Sequence, residues 1–241
     1  MLFRFLCHMA LPYFFVKELQ GKTIIMEEDA SKHIIGVLRM QKGEQVLLTD
    51  GKGRKAIGVI KDDNRKKCII SVDTITTEGK KIQPVAIGMS LVKNTARMEW
   101  FLEKATEIGV SQIIPLICER TIREKFRMER MEQILISAML QSQQCWLPQL
   151  HEPTTFLEAV QMPFTSKYIA YCEEKTQVLQ PGLHSRNTIL LVGPEGDFSP
   201  AEIKSATDNG FQTISLGPTR LRTETAAMAA AVLLCIRHPN S

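Results

Sequence analysis

The chain has 241 residues and a formal net charge of +4, from 30 Lys+Arg against 26 Asp+Glu, with 44% hydrophobic and 23% charged residues. These values exclude a mini-protein, a disordered chain and a fibrous one, and leave length for one large domain or two modest ones. The charge is uneven: residues 1–83 carry 15 Lys+Arg and 10 Asp+Glu, a net +5, whereas residues 84–241 carry 15 and 16, a net −1, so any polyanion-facing excess lies at the front.

In chain order, Met1–Leu6 is apolar with one Arg, but His8, Pro12 and Lys17 interrupt the run and no small-residue cleavage site follows, so a signal peptide is the weaker reading. From Lys22 to Thr76 the pattern is strand-like. Lys22–Met26, Glu44–Thr49, Arg54–Ile60 and Cys68–Ile75 are rich in β-branched residues, and the turn signals Asp50-Gly51-Lys52-Gly53 and Asp62-Asp63-Asn64-Arg65 separate them. A short helix over Ala30–Leu38 would place Ile34, Ile35 and Leu38 on one side. Together these segments predict a small β-barrel module. Glu78–Pro84 is polar, contains both Gly and Pro, and reads as a linker.

Beyond the linker, strands alternate with helices. Val85–Leu91, Ile113–Ile117, Lys167–Cys172, Thr188–Val192 and Gln212–Leu216 read as strands, and Arg97–Ile108, Met128–Gln141, Ala201–Asn209 and Thr223–Ile236 as helices. That alternation predicts an α/β fold with a largely parallel sheet, whose ligands bind in loops at the carboxyl ends of the strands.

Two such loops carry the chemistry. In Gly193-Pro194-Glu195-Gly196-Asp197-Phe198-Ser199-Pro200-Ala201-Glu202, Ser199 caps a helix, Pro200 opens it and Glu202 completes a capping box. The two glycines would let a ligand approach the backbone closely, although an ordinary turn has the same composition. In Leu216-Gly217-Pro218-Thr219-Arg220-Leu221-Arg222-Thr223-Glu224, Thr223 reads as an N-cap, Glu224 suits the helix dipole, and Arg220 and Arg222 invite an anion. Neither a Rossmann nor a Walker A phosphate motif is present. Cys7, Cys68, Cys118, Cys145, Cys172 and Cys235 are scattered and read as reduced thiols of a cytoplasmic protein, and the five histidines form no ligand cluster, so no metal is expected. No uncharged apolar run approaches the ~18–20 residues that span a bilayer, so no membrane partner is expected.

The pairing of Gly193–Ser199 with Ser215–Ala226 resembles the RsmE family of rRNA uridine N3-methyltransferases. The likeness continues in Lys93…Arg97-Met98-Glu99-Trp100-Phe101-Leu102-Glu103-Lys104-Ala105-Thr106-Glu107-Ile108-Gly109, in Gln141-Ser142…Leu147-Pro148, and at the front in His33-Ile34-Ile35-Gly36-Val37-Leu38-Arg39-Met40. It implies a PUA-like RNA-binding β-barrel over residues 1–80 and a SPOUT methyltransferase domain over residues 81–241. The sheet of the second would hold a trefoil knot, and the protein would act as a homodimer on 16S rRNA or the small ribosomal subunit.

The resemblance also implies S-adenosylmethionine as cofactor, bound by Gly193, Pro194, Glu195 and Gly196, by Leu216, Gly217 and Leu221, and by Ile169 and Tyr171 of the first knot loop. Tyr171 stands where the family commonly has His, and Asp197 where many members have Gly. Residues 1–8 precede Met9-Ala10-Leu11-Pro12, which resembles the usual family start, and are expected to be an extension. Arg222 is the candidate to stabilise negative charge on a uracil carbonyl, and Glu224 to orient it or take the N3 proton. Arg39, Lys42, Lys93, Arg97, Arg120 and Arg123 are candidate RNA contacts. The alternatives are a non-catalytic RNA-binding or ribosome-assembly factor, or a SPOUT methyltransferase acting on another RNA.

Overall fold

The computed structural model describes residues 11–79, 84–122, 126–171, 177–178 and 187–235. Residues 1–8, Arg123 and Cys172, and with them much of the first expected knot loop, lie outside the described residues. The chain divides into two compact units, Met1–Lys80 with Leu140–Trp146, and Lys81–Met139 with Leu147–Ser241.

The first unit holds β1 (Tyr13–Phe15), β2 (Thr23–Ile25), α1 (Glu28–Ser31), β3 (Gln45–Thr49), β4 (Arg54–Asp62) and β5 (Ile69–Thr77). The sheet order is β1-β3-β4-β5-β2, with β1 parallel to β3 and the other pairs antiparallel. The β3–β4 turn is fixed by the Asp50 carboxylate, which accepts the backbone N–H groups of Lys52 and Arg54. Alternate residues Val46, Leu48, Ala56, Ile60, Ile70 and Val72 are buried in one core.

The expected helix over Ala30–Leu38 starts as α1 and continues as a π-helix, Lys32–Val37. Its i→i+5 bond from Leu38 N–H to the His33 carbonyl turns later side chains off the α-helical phase. Leu38, expected on the packed face, is consequently 43% exposed, and Met40 is buried instead.

Glu78, at the start of the expected linker, is anchored: its carboxylate meets Lys55 Nζ at 2.6 Å and accepts the Cys145 thiol at 3.0 Å. The Leu140–Trp146 segment makes further bonds in this unit. Tyr13 OH donates to the Gln144 carbonyl, and Gly53 N–H donates to that of Cys145.

The second unit continues with β6 (Val85–Ser90), α2 (Thr95–Ile108), β7 (Gln112–Ile117), α3 (Met128–Gln141), whose last two residues group with the first unit, β8 (Gln149–Leu150), β9 (Thr154–Thr155) and α4 (Phe156–Val160). Then come β10 (Ser166–Ala170), β11 (Gln177–Val178), β12 (Thr188–Val192), α5 (Pro200–Asp208), β13 (Gln212–Ser215) and α6 (Thr223–Cys235). The sheet order is β11-β13-β10-β12-β6-β7-β8, with β9 also beside β7, and every pair is parallel.

Both faces are covered, so the central strands are buried throughout. Along β12, Leu190 and Val192 face a core with α2, α3 and α6, while Ile189 and Leu191 face one with α4 and α5. After β13 near the sheet edge, α6 packs against α2 and central β6, with Ala227, Ala230 and Ala231 as thin contact residues. The chain between them therefore travels back across the strand ends.

Candidate functional site

The loop after β12 is held at both ends. Ser199 caps α5 as expected: its hydroxyl accepts Glu202 N–H at 3.3 Å, and the Glu202 carboxylate accepts Ser199 N–H at 2.8 Å. The other Glu202 oxygen accepts Glu119 N–H at 2.9 Å, tying the loop after β7 to the same helix start. Within the loop, Asp197 N–H donates to the Pro194 carbonyl, and Asp197 has φ +63°. Asp tolerates that left-handed conformation better than most residues, which accounts for Asp where a Gly would be at ease. At Gly193 a Cβ would press at 3.1–3.2 Å on the Phe198 ring and backbone, so its smallness also serves packing inside the loop.

The loop after β13 closes over the first. Gly217, at φ +135°, takes a turn that a side chain would strain, and the Ser215 hydroxyl braces it by accepting its N–H. Arg220 donates to the Glu195 carbonyl at 3.5 Å and Arg120 to the Gly196 carbonyl at 2.6 Å. Both arginines were candidates for anions from outside, yet both engage carbonyls of this loop. Thr223, read as an N-cap, is the first residue of α6, and the Arg222 carbonyl accepts Ala226 N–H at 2.8 Å to start the helix.

Between the two loops and the end of β10 lies a cavity of about 680 Å³. Of the expected cofactor residues, Tyr171, Gly193, Pro194, Glu195, Leu216, Gly217 and Leu221 line it, and so does Arg222. The Ile169 side chain does not: strand alternation points it into the α4/α5 core, and Ala170 reaches the cavity in its place. Gly196 is not in the wall either. Asp197 and Ala226, which sequence reasoning did not select, are. Val192, Ile214 and Leu216 make the lining largely apolar, with a few polar groups, in the size range of a small-molecule site.

A second cavity of about 600 Å³ is formed by Lys93–Arg97 and Glu195, so Glu195 lines both. Its floor is the start of α2, where Asn94 accepts Ala96 N–H as N-cap. Arg97 Nε lies 3.5 Å from Glu224 Oε1. Glu224 therefore engages Arg97, and the expectation that it orients Arg222 is not met. The Glu224 side chain is 11% exposed, and its Oε2 has no hydrogen-bond partner among the described residues. In the first unit Arg39 and Lys42 are exposed, with Arg39 at φ +56°. Among the described residues no group of His, Cys, Asp and Glu could hold a metal ion, and no helix is long and apolar enough to cross a membrane.

Comparison with known proteins adds to this geometry. The family model of the RNA methyltransferase domain matches residues 79–235, and that of the RNA methyltransferase PUA domain matches residues 27–73. The chain is 30% identical over 217 residues to a ribosomal RNA small subunit methyltransferase E of Synechocystis, covering 86% of this chain and 71% of the relative. It is 29% identical over 228 residues to the Bacillus subtilis protein of that name, covering 88% and 89%. Among solved structures, a probable rRNA-methyltransferase from Porphyromonas gingivalis superposes with a TM-score of 0.84 at 36% identity, covering 92% and 95%. A ribosomal RNA small subunit methyltransferase E from Neisseria gonorrhoeae, bound to S-adenosyl methionine, gives 0.83 at 28% identity, covering 92% and 96%.

Proposed function

The chain belongs to the RNA methyltransferases called ribosomal RNA small subunit methyltransferase E, and we propose that it methylates N3 of a uridine in 16S rRNA with S-adenosylmethionine as cofactor. The observation that carries this reading is the cavity that the Gly193–Asp197 and Leu216–Arg222 loops close at the ends of parallel strands. Its volume and largely apolar wall fit an adenine nucleoside with a short zwitterionic tail. Gly193, Pro194, Glu195, Leu216, Gly217, Leu221 and Tyr171 would hold the cofactor, much of it through backbone groups that the Arg120 and Arg220 bonds keep in place. When bound, the cofactor supplies an electrophilic methyl group.

The protein must present a base and assist loss of its N3 proton, because the neutral imide is a poor nucleophile. Arg222 lines the cavity, and its guanidinium has no partner among the described residues. It donates to a uracil carbonyl as negative charge develops there. Glu224, buried against Arg97, acts as a positioning residue.

In this reading residues 1–80 are the PUA-like RNA-binding domain and residues 81–241 the SPOUT methyltransferase domain. The return of the chain from β13 to α6 across the strand ends supports a trefoil knot there. The side of α6 away from the alanines packed on β6 and α2, with its flanking loops, forms a homodimer interface, and the enzyme works in the cytoplasm, where its rRNA is. Mass spectrometry of rRNA treated with enzyme and labelled cofactor tests the reaction: label on uridine N3 is expected, and none in free rRNA or the small subunit would overturn it. Arg222→Ala is expected to lower the single-turnover rate about 100-fold with cofactor Kd unchanged. A wild-type rate would remove Arg222 from the mechanism.

A further inference from the structure

We propose that the second cavity, lined by Lys93, Arg97 and Glu195, reads the imide edge of the target uracil, and that Glu195 is the group that accepts its N3 proton. This rests on the reading of the chain as a uridine N3-methyltransferase. Three observations carry it. Glu195 belongs to the walls of both cavities, so the residue that carries this carboxylate stands at the boundary where a base in the second would meet a cofactor in the first. That carboxylate is exposed and has no hydrogen-bond or ion-pair partner among the described residues, whereas Glu224 is enclosed and committed to Arg97. Finally, the second cavity combines this one carboxylate with two cationic donors, Lys93 at the exposed rim and Arg97 in the wall.

That donor and acceptor set complements uracil. The imide edge offers an acceptor, a donor and an acceptor: O2, N3–H and O4. A carboxylate facing N3–H with cations facing the carbonyls satisfies all three. Cytosine has no proton on N3 and carries an amino group at position 4, so it would face the carboxylate with a lone pair and Arg97 or Lys93 with a donor. Such mismatches discriminate strongly because they leave polar groups unpaired. Glu224 serves this pocket indirectly: its ion pair with Arg97, Oε1 to Nε at 3.5 Å, holds the guanidinium from its Nε side.

In the proton transfer, the N3–H bond breaks and the proton passes to a Glu195 carboxylate oxygen. The electron pair stays on N3 and delocalises on to O2 and O4, beside Arg97 and Lys93. The exposed carboxylate then releases the proton to water. No other reactant is needed.

The test separates binding from chemistry. In cofactor-free protein, fluorescence anisotropy compares a labelled single-stranded RNA carrying one uridine with the same RNA carrying cytidine there. Wild type is expected to prefer uridine, and Glu195→Ala and Arg97→Ala to reduce that preference about tenfold. Glu195→Gln, which still offers an oxygen to N3–H, should keep most of it. In single turnover, Glu195→Gln should be slowed about 100-fold or more. Its rate should rise steeply with pH, and should recover in part on RNA containing 5-fluorouridine, whose imide is more acidic. Equal preference for the two RNAs in wild type, or a wild-type pH profile in Glu195→Gln, would each overturn the proposal. Absence of uridine N3 methylation by the wild-type enzyme would instead overturn the reading on which it rests.

Discussion

Cys118 sits at the end of β7, and burial, reinforced by the nearby Glu202 carboxylate, pushes its thiol up to about 12. Burial does the same to Cys68, with Asp62 and Asp63 adding to it, and to Cys145, with its bond to Glu78 adding to it; both rise to about 11. The direction sets a pH dependence. In the unfolded chain these thiols ionise near 9.0, whereas the fold keeps them protonated. Their effect on stability is therefore flat below about pH 9 and becomes destabilising as pH rises from there towards the folded values. The thermal midpoint is expected to fall between pH 9 and 11, and Cys118→Ala to flatten that fall; parallel pH profiles for the two proteins would refute it. The scattered spacing of the cysteines already pointed to thiols without partners in disulfides. That Cys145 would bond to Glu78, 67 positions away, could not be read from spacing.

At the scale of elements, signals confined to a few consecutive residues were legible. Ser199-Pro200-Ala201-Glu202 announces the start of α5, and α5 begins there with both halves of the capping box formed. Thr155 and Glu158 make a second box at α4 that the same four-residue signature could have revealed. The π-helix was illegible because the widening of a helical turn depends on how the surrounding core receives Ile34 and Met40, not on local propensity. Glu202 illustrates how one side chain serves two elements, since it also accepts Glu119 N–H. Glu202→Ala leaves the buried Ser199 N–H and the part-buried Glu119 N–H without this partner and is expected to lower unfolding free energy by about 2 kcal/mol in urea titration. Ser199→Ala removes only the cap and should cost about 1 kcal/mol. Equal losses would mean that the Glu119 bond contributes little.

Across the whole molecule, the basic surplus of the first 83 residues and the near-neutral remainder match the division between an RNA-contacting unit and a catalytic one in the proposed function. Arg39 and Lys42 are exposed in the first unit and available to phosphates. Replacing both with Ala is expected to weaken RNA binding at low salt and to reduce the slope of log affinity against log salt by about one for each phosphate no longer neutralised. An unchanged slope would show that neither meets a phosphate. Arg120 makes a contrast: the sequence offers it as another surface cation, yet it bonds to the Gly196 carbonyl.

The sequence by itself determined the alternation of strands and helices, the two glycine-containing loops and their place after parallel strands. Each depends on periodicity or turn chemistry within a short window. The family's motifs reinforced that reading. Only the tertiary structure decided which side chains share a wall. It turned Ile169 into the core, because alternation along β10 assigns faces only once the sheet is packed on both sides. It also paired Arg97 with Glu224, 127 residues apart, and set Glu195 between two cavities. The pairing of Arg97 with Glu224 follows from where α6 comes to rest, and close packing of its alanines against β6 and α2 fixes that position.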